Sequence, residues 1–230
     1  MNKNSNAYTF IFAIVLVVLV ATILAFASEG TKEKRAANIK LEKMQNILST
    51  IGLDLSREES GKVYKDYVKQ ELAIKEDGSV DTAVKAFNIN LKNEIKKPIS
   101  EQRFPLYIVE KEGKKMYVVP LYGAGLWDAI WGYLSIKDDK NTIFGASFDH
   151  KGETPGLGAE INQSWFEDQF KGKQIMEGSK FVSVKVIKGG APQGDTHGVD
   201  AISGGTLTSN GVTNMLQERL QRYLAYFKNN

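Results

Sequence analysis

The twelve residues from Asp200 to Gly211 read Asp-Ala-Ile-Ser-Gly-Gly-Thr-Leu-Thr-Ser-Asn-Gly. Ser203, Thr206, Thr208 and Ser209 supply hydroxyl oxygens, and Gly204, Gly205 and Gly211 let a backbone approach a bulky group closely. Beyond them Val212, Met215, Leu216, Leu220, Tyr223, Leu224 and Phe227 recur at three- and four-residue steps. That spacing predicts one face of a helix from Ser209 to Phe227. A glycine- and hydroxyl-rich loop opening a helix binds anions, because free backbone N–H groups and the positive dipole end point at it. The plainer alternative is a Ser209 or Asn210 N-cap behind a Gly204-Gly205 turn. Neither Gly-x-x-x-x-Gly-Lys nor Gly-x-Gly-x-x-Gly occurs here, so no nucleotide-loop template fits.

Three other constellations carry chemistry. Leu121-Tyr122-Gly123-Ala124-Gly125-Leu126-Trp127 sets glycines beside a tryptophan, which either covers a planar ligand or plugs the core. His150-Lys151-Gly152-Glu153-Thr154-Pro155-Gly156-Leu157-Gly158-Ala159 must fold as a tight, irregular loop. There Glu153 and Thr154 are suited to hydrogen-bonding a ring edge. His150 and Glu153 have no third ligand nearby, so zinc is not expected. Lys185 and Lys188 either balance an anion or are solvated surface lysines.

The elements that must position these residues follow from pattern. Phe10 to Ala27 is apolar except for Thr22, and extended back to Tyr8 the run reaches about 20 residues, the length that spans a bilayer core of ~30 Å. Ala25-Phe26-Ala27 also resembles a signal-peptidase site, but the run is longer than a usual signal core, so a retained anchor is expected. Lys3 on one side against Lys32, Lys34, Arg35, Lys40 and Lys43 on the other places the bulk of the chain in the cytoplasm by the positive-inside rule. An amphipathic helix is expected from Ala36 to Ile51, ended by Gly52, and Ser56-Arg57-Glu58-Glu59 predicts a capping box opening a second helix. Residues 60–100 read as a solvated connecting or capping segment.

Leu106 to Val109 and Met116 to Val119 predict a hairpin about Gly113. Trp131 to Ile136, Thr142 to Phe148 and the alternating Lys180 to Lys188 predict further strands, and Gln163 to Phe170 a short helix. The fold class is α+β: a transmembrane helix (1–30), a helical connecting or capping segment (31–100), then a soluble domain (101–230) with a mainly antiparallel sheet and flanking helices. A formal net charge of +3 and dispersed basic residues give no nucleic-acid footprint. With no cysteine, disulfides, iron–sulfur clusters and thiolate metal sites are excluded, so redox chemistry would need an organic cofactor.

Asp200-x-x-Ser203-Gly204-Gly205-Thr206 resembles the flavinylation signature Asp-x-x-(Ser/Thr)-Gly-Ala-Thr, with Gly205 in place of alanine. Together with Gly123-Ala124-Gly125-Leu126-Trp127 and His150-x-x-Glu153-Thr154-Pro155-Gly156-Leu157-Gly158, it resembles the NqrC family, a component of the sodium-translocating NADH:quinone reductases. The resemblance implies FMN joined through its phosphate to Thr206 by a flavin transferase that reads Asp200 and Ser203. It implies glycine clearance at Gly204 and Gly205, Trp127 and Leu157 against the ring faces, Glu153 and Thr154 at polar edges, and Leu126 and Gly158 also among the cofactor-binding residues. Thr208 is a second candidate acceptor, and Lys188 a counter-charge. It further implies an electron relay, inactive alone, held by its anchor in the bacterial inner membrane among the other subunits of that complex. Its soluble domain would face the periplasm, against the charge count. The counterpart in the related Rnf electron-transport complex shares the Glu-Thr-Pro motif and is the nearer alternative; a flavin-free membrane-anchored binding or assembly module is the more distant one.

Overall fold

The computed structural model describes residues 5–230, so Lys3 of the charge count lies outside the described residues. The chain divides into two compact units, Met1–Lys43 and Met44–Asn230. Helix α1 (Asn6–Ser49) carries the first and is, among the described residues, the one helix long and apolar enough to cross a membrane. Its apolar window has a mean hydropathy of 3.1 and is wholly unburied. Thr22 donates its hydroxyl to Val18 O at 2.7 Å, which satisfies that group inside the helix. Gly30 does not interrupt the helix, which runs unbroken from Asn6 to Ser49.

The second unit opens with the end of α1. Gly52, at φ 73°, donates to Ser49 O, and Leu53 donates to Leu48 O, the paired bonds of a left-handed helix stop. Lys111 Nζ adds bonds to the carbonyls of Ile51 and Gly52. Helix α2 (Arg57–Tyr67) starts from the expected reciprocal cap between Ser56 and Glu59.

Strands β1 (Val68–Ile74), β2 (Phe104–Lys111), β3 (Lys114–Ala124), β4 (Ala129–Lys137) and β5 (Ile143–His150) form an antiparallel meander in that order. Glu112 and Gly113, both at positive φ, make the two-residue turn whose twist matches the flanking strands. The lysine-rich span 60–100, expected to be a solvated connecting or capping segment, supplies β1 to the sheet, and helix α3 (Leu91–Glu94) follows it. The central residues of β1 are exposed and only its ends are buried, so it lacks a period-two signal.

Past β5 the chain is irregular. A 3-10 turn (Gly158–Asn162) leads to α4 (Ser164–Glu167) and a second 3-10 turn (Asp168–Phe170). Two short strands follow, β6 (Met176–Glu177) and β7 (Lys180–Phe181), then a parallel pair, β8 (Lys185–Ile187) and β9 (Gly198–Asp200). The single strand expected over Lys180–Lys188 breaks at Ser183, whose φ of 61° turns the chain where Val182 and Ser183 both donate to Ile175 O. Val184 and Val186 nonetheless keep their common buried face. Helix α5 (Thr206–Leu220), a 3-10 turn and α6 (Leu224–Asn229) close the fold.

Alternation along the strands sorts two cores. Leu106, Ile108, Tyr117, Val119 and Leu121 join Val212, Met215, Leu216 and Leu220 of α5 on one side. Tyr107, Val109, Met116 and Val118 join Ile47, Leu48 and Ile51 on the other. A sheet covered on both faces explains why Leu106 to Val109 is continuously apolar. Tyr223 fastens the carboxy-terminal helices to β2 through a 2.9 Å bond from its hydroxyl to Pro105 O.

Candidate functional site

Three loops meet at one end of the sheet. The first joins β3 to β4 and is closed by Gly125 N–H donating to Asp128 O at 2.8 Å. The second leaves β5, where Glu153 N–H donates to His150 Nδ1 at 3.2 Å. Leu157 and Ala159 then both donate to Thr154 O at 3.1 Å, while Gly156 sits at φ 74°. The third runs from β9 into α5: Gly204 takes φ 74°, Gly205 donates to Ile202 O, and Ile202 donates to Ser209 Oγ. The positive φ at Gly204 is a conformation that side chains other than glycine rarely adopt.

These loops enclose a cavity of about 110 Å³. Leu126 comes from the first loop, and Glu153, Thr154, Leu157 and Gly158 from the second. Gly204 to Thr208 form the remaining wall. Ten residues, the outermost Leu126 and Thr208, thus share one surface. The volume is below the roughly 300–1,000 Å³ that encloses a drug-sized ligand, so a large ring would lie against the rim rather than inside.

Glu153 is the buried charge of the site, at 4% exposure. Oε1 accepts from Trp127 N–H at 2.9 Å and Oε2 from Thr208 Oγ1 at 2.5 Å. Burial alone would push this carboxyl up. Donation from Thr208 and from the backbone N–H groups around Trp127 outweighs it and holds the carboxyl below its ordinary value.

The two threonines differ sharply. Thr208 is 1% exposed and its hydroxyl is given to Glu153. Thr206 is half-buried at the first helical position of α5, on the cavity wall. Helix α5 begins here rather than at the expected Ser209. Its N-cap is Gly205, which brings no side-chain bond, so neither Ser209 nor Asn210 caps the helix. The first-turn N–H groups of α5 therefore receive no side-chain cap. A Cβ on Gly205 would meet Ile202 Cγ2 at 3.0 Å and Ile202 Cβ at 3.1 Å, a tight contact that requires Ile202 to give by a few tenths of an ångström.

Four candidates stand apart from the cavity wall. Trp127 does not plug the core: its side chain is 69% exposed at the rim while its amide is held by Glu153. Ser203 is exposed in the third loop. Asp200 turns away, accepting from Ala191 N–H at 2.7 Å, so it orients the Gly189-Gly190 loop rather than the hydroxyl-rich one. Lys188 is exposed just beyond β8 and contributes nothing to the cavity. Leu207, 59% exposed on the wall, has no motif signal of its own beyond its place between Thr206 and Thr208.

Residues 125–221 match the family described as FMN-binding domain. Over 227 residues the chain is 31% identical to the NqrC component of the Na(+)-translocating NADH-quinone reductase of Vibrio alginolyticus, covering 92% of this chain and 89% of that protein. The corresponding protein from Yersinia pestis is 29% identical over 233 residues, with 93% and 88% covered. Among solved structures, the equivalent component from Parabacteroides distasonis superposes with a TM-score of 0.80 at 38% identity, covering 86% of this chain and 98% of that one. NqrC of Shewanella oneidensis gives 0.70 at 29% identity, with 83% and 96% covered.

Proposed function

This chain belongs to the NqrC family of Na(+)-translocating NADH-quinone reductase components, and on that premise we propose that it relays electrons through FMN joined by a phosphoester to Thr206. The observation that carries the choice of residue is the contrast between the two threonines: Thr208 is buried and bonded to Glu153, while Thr206 lies on the cavity wall at an uncapped helix start. In the attachment, Thr206 Oγ gives up its proton and bonds to the FMN phosphorus of a flavin dinucleotide, whose phosphoanhydride bond breaks and releases the nucleoside monophosphate; the chain gains one FMN less water. A flavin transferase is the partner for this step, with Asp200 and Ser203 exposed for recognition.

The protein residues fit such a group. The phosphodiester keeps one negative charge, which the N-terminus of α5 favours by about 0.3–1 kcal/mol. Gly204 and Gly205 leave the acceptor side uncrowded, and Leu126, Leu157 and Trp127 supply exposed apolar surface at the rim. FMN supplies the electron chemistry, and the protein supplies position and electrostatics. A relay held covalently needs no deep pocket, which is consistent with the small cavity. The remaining electron path belongs to the other subunits of the complex.

We further propose that α1 anchors the chain in the bacterial inner membrane with the second unit on the periplasmic side. The length and apolarity of α1 support the anchor, and large domains cross membranes largely regardless of flanking charge. Active alkaline phosphatase fused after Asn230 is the expected result; an inactive fusion would place the domain in the cytoplasm.

Intact mass and absorbance of the chain co-expressed with a flavin transferase test the attachment. Wild type should be yellow and heavier by one FMN less water, and Thr206→Ala should lose both. Retention of the added mass in Thr206→Ala would move the acceptor elsewhere.

A further inference from the structure

Glu153 does more than offer an edge to a ligand. Both of its carboxylate oxygens are engaged inside the protein, one by the Trp127 amide and one by the Thr208 hydroxyl. The surroundings are shaped to this carboxylate. A Cβ on Gly125 would approach Oε1 to 2.5 Å, and one on Gly158 would approach Oε2 to 2.5 Å and run into Thr208 Oγ1. Glycine in both places is therefore what lets three loops close around one negative charge. Through Thr208 the carboxylate holds the first turn of α5, which presents Thr206. Through Trp127 it holds the loop that carries the indole and Leu126 to the rim.

We propose that Glu153 is the positioning residue of the flavin site, clasping α5 to loop 125–128, and that its negative charge lowers the reduction potential of the attached flavin. This rests on attachment at Thr206. The charge argument is electrostatic: Glu153 lines the same cavity as the acceptor, its carboxylate is itself buried and so screened less than a surface charge, and a nearby like charge disfavours added electrons. Hydrogen bonds to a charged group are also stronger than those between neutral partners, which suits a clasp.

The test compares wild type, Glu153→Gln and Thr208→Val in the full chain co-expressed with a flavin transferase. Three readouts are taken: intact mass, flavin midpoint potential, and hydrogen exchange at the Trp127 amide, the last also on chain made without the transferase. Glu153→Gln should keep the FMN mass, speed Trp127 exchange about tenfold, and shift the two-electron reduction equilibrium about tenfold toward the reduced form, roughly 30 mV upward. Thr208→Val keeps the charge, so it should speed exchange without that upward shift. Wild-type exchange and potential in Glu153→Gln would overturn the proposal, and faster exchange at an unchanged potential would overturn its electrostatic half. If Glu153→Gln does not accumulate folded, Glu153→Asp carries the same readouts, with faster exchange and a retained potential expected. A wild-type chain lacking the FMN mass overturns attachment at Thr206, while exchange in the unmodified chain still decides whether the clasp exists.

Discussion

The two ends of the second unit are built on opposite terms. Where α1 ends, Ile47, Leu48 and Ile51 are fully buried, Gly52 and Lys111 satisfy the helix carbonyls, and Ser135 Oγ donates to Thr50 O at 2.7 Å. Where α5 begins, no side chain caps the helix, a carboxylate is buried instead of an apolar group, and Leu126, Trp127, Leu157 and Leu207 remain exposed. One end uses apolar burial and filled caps, which is how stability is gained. The other leaves helix N–H groups and apolar side chains available, which is what a ligand and a neighbouring protein need. Departures from local rules collect at the end where function is expected.

The contrast breaks most sharply at Leu48. Leu48→Ala should cost about 2–5 kcal/mol of stability through a cavity in the core, measured by urea unfolding, while the fraction of folded protein carrying FMN stays at wild type. A lowered FMN fraction would mean the two ends are coupled. Gly158→Ala should have the converse signature. Its added methyl collides with Thr208 Oγ1 and Glu153 Oε2, with an expected cost of about 1–3 kcal/mol and a changed flavin spectrum in protein that remains folded. Ser56→Ala removes the α2 cap and should cost about 1 kcal/mol, again read by urea unfolding, with the flavin spectrum untouched.

Glu167 sharpens the comparison by pH. Burial pushes its carboxyl up to about 7, with Asp168 and Asp149 adding to the rise, although Phe148 N–H donates to it at 2.6 Å. Between the ordinary carboxylate range and that value the native state holds a proton the unfolded chain has released, so this group's contribution to stability falls as pH rises through the window. Glu167→Gln should raise the melting temperature at pH 8 by a few degrees and leave it unchanged at pH 4. An equal change at both values would assign the effect to packing rather than charge.

Much of this was legible in the chain because it is local. The Ser56–Glu59 cap, the stop at Gly52, the hairpin about Gly113 and the apolar stripe from Val212 to Phe227 each depend on residues within a turn or two of one another. The three motifs around Trp127, Glu153 and Thr206 were legible for the same reason, as short runs of glycine and polar residues. The start of α5 was misplaced because a glycine cap has no side-chain signature, so Ser209 drew the assignment. The break at Ser183 was hidden because alternation says nothing about φ, and β1 was hidden because an edge strand buried only at its ends has little periodicity.

By itself, then, the sequence determined the long apolar helix, the class of fold and the residue types of the site, since length, composition and period are properties of neighbouring residues. Only the tertiary structure decided that Thr208 is withdrawn and Thr206 presented. That choice depends on Glu153, fifty-five positions away, giving its carboxylate to one hydroxyl and not the other. It likewise turned Asp200 toward Ala191 and left Lys188 outside the cavity, because contacts across loops are set by the packing of the sheet beneath them.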